Sequence, residues 1–270
     1  MRSLTYPRFM LRQHVGFGAF SFVVVGVLQY LIVQLITTED TATMVRGVIE
    51  QLPERMRMIV SEQFITRLTT GGAVAFGFSH PLALALLAIN AIQFPARHVA
   101  GEIEGGTMEW LLAQPVARLR VVLSVSGAGA VTLLAIVCGA WIGSLSALAG
   151  AGALVPDLLF KILGVGFNLW ILMVLVMSYT LVLAAFARDG GKVALRAAAV
   201  TFVFYLLHVL VPIWDAIAFT RPFNFFTYYQ PQKLISGERS ITLDVVVLAM
   251  VVAVCQLIAA RRFCRRDIPG

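Results

Sequence analysis

Six long apolar runs constrain this chain more than any other feature, because a helix needs about 20 apolar residues to cross about 30 Å of hydrocarbon. The runs cover 15–36, 73–94, 121–148, 158–187, 197–219 and 241–260. Of the 270 residues, 59% are hydrophobic and 13% are charged, too few polar side chains to clothe a soluble domain. The runs predict an all-α integral membrane protein with about six transmembrane helices in a single domain over 1–270. Pro81 inside the second run predicts a kink, and Pro212 lies near the end of the fifth.

The net charge of +7 is distributed in a way that assigns topology. Arg2, Arg8 and Arg12 precede the first run, and Arg97, Arg118 and Arg120 lie between the second and third. Arg188, Lys192 and Arg196 lie between the fourth and fifth, and Arg261, Arg262, Arg265 and Arg266 follow the sixth. The opposite connections hold Arg46, Arg55, Arg57, Arg67, Arg221, Lys233 and Arg239, fewer in a greater total length. Positive charge favours the cytoplasmic side, so both termini are predicted to be cytoplasmic. The arginines flank apolar runs and form no single basic block, which argues against nucleic acid as a partner. The first run is about 22 residues long, which suits a span better than a cleavable signal segment. Cys138, Cys255 and Cys264 form no CxxC pair, so neither a disulfide framework nor a metal site is expected.

Two outer segments, 37–72 and 219–240, exceed simple connectors. In the first, Met44, Val45, Val48, Ile49 and Leu52 recur at helical spacing, and Met56, Ile59, Val60 and Phe64 continue the stripe after Pro53. This pattern predicts short amphipathic helices between spans one and two, lying on the outer surface. In the second, Phe223, Phe225, Phe226, Tyr228 and Tyr229 suit either an interfacial aromatic belt or a partly re-entrant gate. In the third run Gly139 and Gly143 form a small-xxx-small pair, which permits close helix approach within the chain or against a second copy.

The loop 96–120 carries the one informative motif. Glu102 and Glu104 precede Gly105-Gly106, and Thr107 is the expected N-cap of a short helix. Glu109 falls in its first turn, where a negative charge suits the helix dipole. Trp110, Leu111 and Leu112 are expected to form its apolar face, Pro115 to end it, and Arg118 to mark the membrane boundary. An acidic, tryptophan-bearing helix suits a protein partner with a basic rim. It suits the negatively charged inner leaflet poorly.

Residues 101–118 resemble the E-x-E-x-G-T-x-x-x-L-L-x-x-P-x-x-R signature of six-helix export-type ABC transporter permeases. A weaker similarity lies at Tyr228-Tyr-Gln-Pro and at Gly237-Glu238. The resemblance implies a permease of the cell inner membrane, working as a homodimer with two copies of a separate cytoplasmic ABC ATPase. ATP and Mg would sit on that partner, and this chain would bind no cofactor of its own. The coupling helix would use Glu102, Glu104, Gly105, Gly106, Thr107, Glu109, Trp110, Leu111, Leu112, Pro115 and Arg118. Two departures are the small Gly105, where many relatives carry a larger residue, and the long segment after span one. Gly190-Gly191-Lys192-Val193 lacks the upstream glycine and the hydroxyl residue of a phosphate-binding loop, so ATPase chemistry is not expected here.

Polar residues inside the runs are costly and mark candidate pathway positions. His80, Asn90, Asn168 and His208 are the candidates, with Gln93 and Asp215 beside them. For each, a hydrogen bond between helices competes with substrate contact. Asp157 and Lys161 are expected to snorkel. Two other function classes compete with the permease reading. An ion-driven carrier would need more buried charge and an inverted repeat. An intramembrane hydrolase would need a nucleophile such as Ser144 set against His80 or His208.

Overall fold

The computed structural model describes residues 5–37, 70–114 and 117–266. Among them are the helices α1 (Thr5–Thr37), α2 (Thr70–Phe78), α3 (Pro81–Pro95) and α4 (Thr107–Leu112). Then come α5 (Arg118–Gly150), α6 (Pro156–Phe186), α7 (Gly190–Leu210), α8 (Pro231–Ser236) and α9 (Ile241–Arg265). The described residues contain no strand, and six helical spans among them are long and apolar enough to cross a membrane. The all-α reading therefore holds. The amphipathic helices expected between spans one and two fall outside the described residues.

Several boundaries differ from the sequence reading. The second span is interrupted at Ser79–His80, between α2 and α3, where a bend had been expected. Proline at the first position of α3 holds His80 in extended backbone, with φ −63° and ψ 130°. The His80 ring then caps α3 by accepting from the Leu82 amide at 3.3 Å. At its other end the span continues past Pro95 through a π turn, Ala96–Gly101, to Glu104. The missing proline amide relaxes the ladder there. The fifth span begins at Gly190, ahead of the expected 197, and ends at Leu210. Lys192 and Arg196 thus lie in a helix, and Asp215 lies in a 3₁₀ segment beyond it.

Helix α6 is the axis of the bundle, buried at most positions from Ile162 to Ala185. It packs against α3, α5, α7, α8 and α9, while α1 lies outside this ring against α2 and α5. Water supplies no hydrophobic drive inside lipid, so close packing and interhelical hydrogen bonds hold such spans together. The α1–α5 contact uses glycine: a Cβ on Gly26 would stand 3.0 Å from the Gly139 carbonyl oxygen, and one on Gly143 would strike the Gly26 carbonyl. The Gly139/Gly143 pair therefore serves packing within the chain.

Polar side chains cross-link the other contacts. Gln29 donates to the Val74 carbonyl at 3.0 Å, joining α1 to α2. Ser126 donates to the Gln256 carbonyl oxygen at 2.8 Å, and the Gln256 amide donates to Ser178 at 2.9 Å, tying α5, α6 and α9 into one network. The Trp170 indole donates to the Ala130 carbonyl at 2.9 Å. Each such bond is worth about 0.5–1 kcal/mol in a membrane.

The aromatic segment after α7 divides. Phe219 and Phe223 point outward, while Phe226 and Tyr229 are buried. Tyr229 donates to the Phe78 carbonyl at 2.9 Å, and burial pushes its phenol pKa upward. Asn224 donates to the Phe204 carbonyl at 2.8 Å, and α8 rests on α2 and α6. The segment is thus partly exposed and partly folded into the bundle. At the start of α9 the enclosed Asp244 pairs with Arg239 through both carboxylate oxygens.

Adding one methyl group by Gly143→Ala should lower stability by about 1–3 kcal/mol, because backbone blocks it. Gly127→Ala, whose Cβ would meet nothing within 4 Å, should be near neutral. Thermal unfolding in detergent measures both, and equal effects would refute the α1–α5 packing described.

Candidate functional site

The N-terminus of α1, the π turn, α4, the start of α5, the end of α6, the start of α7 and the end of α9 meet at one end of the bundle. A hydrophobic cluster there contains Met10, Phe94, Met108, Val121, Val193 and Phe263, each essentially enclosed. The His14 ring stacks on Phe94 with centroids 4.6 Å apart and lies 4.9 Å from His98. Sequence reasoning had not singled out these two histidines.

The loop that bears the acidic motif is built on glycine geometry. After the single turn Glu102–Glu104, the Gly105 amide donates to the Gly101 carbonyl at 2.9 Å, and the Gly106 amide donates to Ile103 at 3.2 Å. Gly106 then turns the chain with φ 71°, a left-handed value that side-chain-bearing residues rarely adopt. It is the N-cap of α4, so the expectation for Thr107 is corrected. Thr107 is the first helical residue, and its hydroxyl reaches back to the carbonyl and carboxylate of Glu102. Helix α4 ends with the Ala113 amide on the Glu109 carbonyl at 2.8 Å. That end precedes Pro115, which lies outside the described residues together with Val116.

The apolar face of α4 is also corrected. Met108 is fully buried, and Leu111 and Leu112 pack partly against the same cluster. Positions 108, 111 and 112 follow the i, i+3, i+4 spacing of one helix face, a signal present in the sequence. Trp110 points the other way and is 80% exposed. Glu109 is half-buried beside it.

The exposed Glu104 side chain reaches another element of the same chain. Its carboxylate accepts from the Gly190 amide at 2.9 Å, at the N-terminus of α7, where negative charge is favoured. Gly190 is needed for that approach, because a Cβ there would stand 2.9 Å from the Ala96 carbonyl oxygen and 3.1 Å from the Gly101 nitrogen. The next carboxylate, Asp189, caps α7 by accepting from the Lys192 amide at 2.9 Å. That bond, followed by the one to the Lys192 side chain, holds the Asp189 carboxyl below its ordinary pKa.

Arg118 opens α5 and donates to the backbone carbonyl of Arg266. Arg266 follows α9 and is 8% exposed, although the sequence suggested only a topology charge. One nitrogen of its guanidinium donates to the carbonyls of Ala187, Ala185 and Ala184 at 2.7, 3.1 and 3.4 Å. It thereby caps the C-terminus of α6. Burial, together with nearby Arg188 and Arg262, lowers its pKa from the usual arginine value.

No hydrogen bond or ring contact joins any two of His80, Asn90, Asn168 and His208 among the described residues. His80 caps its own helix. Asn90 donates to Ser21 at 2.9 Å, an interhelical bond between α3 and α1. His208 lies in the last turn of α7 with its ring 6.1 Å from Phe226. Asn168 is fully buried in α6, and neither end of its amide meets a hydrogen-bond partner among the described residues. Ser144 is buried too and donates to the Ala140 carbonyl at 2.9 Å, within its own helix. Asp157 and Lys161 pair at 2.8 Å.

Six apolar spans and a helix held by one face against their common end define a multi-pass helical membrane protein with an exposed tryptophan-bearing turn. The chain matches the family model described as ABC-2 family transporter protein over residues 10–268, and it belongs to that family. It is therefore a membrane permease subunit of an ABC transporter, a subunit that works with an ABC ATPase. No curated relative matches it significantly.

Met108→Ala should cost about 2–4 kcal/mol, since it empties an enclosed site. Trp110→Ala should change stability by less than about 0.5 kcal/mol. Thermal unfolding of the isolated permease checks the pair, and the reverse order would overturn this placement of α4. Asn168→Leu should raise the same midpoint, because an unpaired buried amide costs about 1–3 kcal/mol. A fall would refute the account of Asn168 as an unpaired amide.

Proposed function

We propose that the chain is the membrane subunit of an ATP-driven exporter, working as a homodimer with two copies of a separate cytoplasmic ATPase. ATP and Mg are held by that partner, and the permease itself carries no cofactor and no ATPase site. It resides in the cell inner membrane with both termini cytoplasmic. Helix α4 is the coupling helix, and substrate crosses between the two permease copies.

The observation that carries this reading is the division of α4 into two faces. Met108 is locked in the bundle, while Trp110 stands 80% exposed on the same short helix. An exposed tryptophan on a preorganised support is a typical interface anchor. Glu109 beside it supplies the acidic contact. Glu102 and Glu104 work differently, bracing the loop through Thr107 and Gly190. Family membership favours this reading over an ion-driven carrier and over a hydrolase.

Co-expression with an ABC ATPase that co-purifies with the wild-type permease, followed by purification in detergent, tests the proposal. Trp110→Ala combined with Glu109→Lys should weaken the complex by about 30-fold or more, as expected of a central anchor worth about 2 kcal/mol. The permease alone should remain folded. Undiminished complex formation by the double variant would overturn the reading. So would labelling of Trp110→Cys by an impermeant thiol reagent in intact cells.

A further inference from the structure

Two contacts connect the loop around α4 to a place it does not touch in sequence, the three-residue turn between α6 and α7. That turn, residues 187–189, joins the central helix of the bundle to the fifth span. It is gripped from both sides. On the α6 side, the last carbonyls of the helix have no partners within the helix and carry its negative dipole end. The Arg266 guanidinium takes three of them. Arg266 is itself held by Arg118, which begins α5 a few residues after α4. On the α7 side, Glu104 takes the Gly190 amide, and Gly190 sits in backbone contact with the π turn.

The character of these links decides what they can transmit. Arg118, Arg266 and Glu104 all end on backbone atoms, and the one side chain in series between Arg118 and α6, that of Arg266, is held by backbone carbonyls. Arg266 is buried, and Met108 shares one enclosed cluster with Ala184, Ala185 and Val193 at the ends of α6 and α7. Helix α6 contacts more of the bundle than any other span. Motion of its end therefore reaches α3, α5 and α9 directly.

We propose that Arg118 and Arg266 on one side, and Glu104 on the other, are positioning residues that make the α6–α7 turn move with α4. This rests on the reading of α4 as the coupling helix. It assigns the loop's arginine and its second glutamate a task inside the permease, separate from contact with the ATPase. Motion then enters the membrane through the central helix.

Hydrogen–deuterium exchange on the complete permease–ATPase complex tests this, comparing the nucleotide-free state with a state trapped by ATP and vanadate. In the wild type, exchange should change together in residues 102–114 and 181–192. Arg266→Gln combined with Glu104→Ala, which cuts both sides, should keep the response in 102–114 and lose it in 181–192, and Arg266→Lys in the Glu104→Ala background should restore part of it. Arg118→Gln, likewise in the Glu104→Ala background, severs the arginine link while leaving the α6 carbonyls capped, so it answers the question even where the Arg266→Gln chain fails to fold. A role limited to stability would lower the melting temperature and raise basal exchange while preserving the nucleotide response in 181–192. That result in Arg118→Gln, or a wild-type complex in which only 102–114 respond, would overturn the proposal. Silence of 102–114 in an intact complex would instead overturn the coupling-helix reading, and this inference with it.

Discussion

Inside hydrocarbon a backbone amide or carbonyl without a partner costs several kcal/mol, and no water is present to supply one. Continuous helices meet that demand along their length, and their ends do not. Polar residues serve several of these ends: Asp189 on α7, His80 on α3, Ser240 on α9 and Arg266 on α6. The most consequential of them is Arg266, because α6 is the helix around which the others are arranged.

The same demand shapes the acidic loop. A turn at a membrane boundary must reverse direction without stranding its backbone. Gly106 does so in a left-handed conformation, while Glu102 and Thr107 close the turn on itself. Met108 then inserts into a cluster drawn from several helices. The result is a helix of six residues anchored through Met108 and presenting one bare indole. Such anchorage suits the coupling role proposed for α4, because an unanchored peg would dissipate a partner's motion as local disorder.

Much of the architecture was legible in the chain. The six spans follow from apolar length, and the special status of 102–118 follows from its acids, glycines and tryptophan. The interruption at Pro81 was legible in place, although its form was not, since capping by His80 depends on the ring's rotamer. Thr107 was misread because a threonine before a helix is usually a cap. Here the adjacent glycine could adopt φ 71° and took that position. Met108 could have been found from the 108, 111, 112 spacing, but the tryptophan drew the apolar face toward itself.

Local pattern determined where the helices are, which loop is unusual and which family the chain joins, because those depend on hydrophobic length, short-range capping chemistry and a compact motif. Tertiary structure alone decided that Glu104 belongs to Gly190, that Gly143 belongs to Gly26, and that Arg266 finishes a helix some eighty residues away. Those partners are far apart in sequence and meet on backbone atoms. A backbone atom has no residue type, so the composition of the chain carries no trace of the contact.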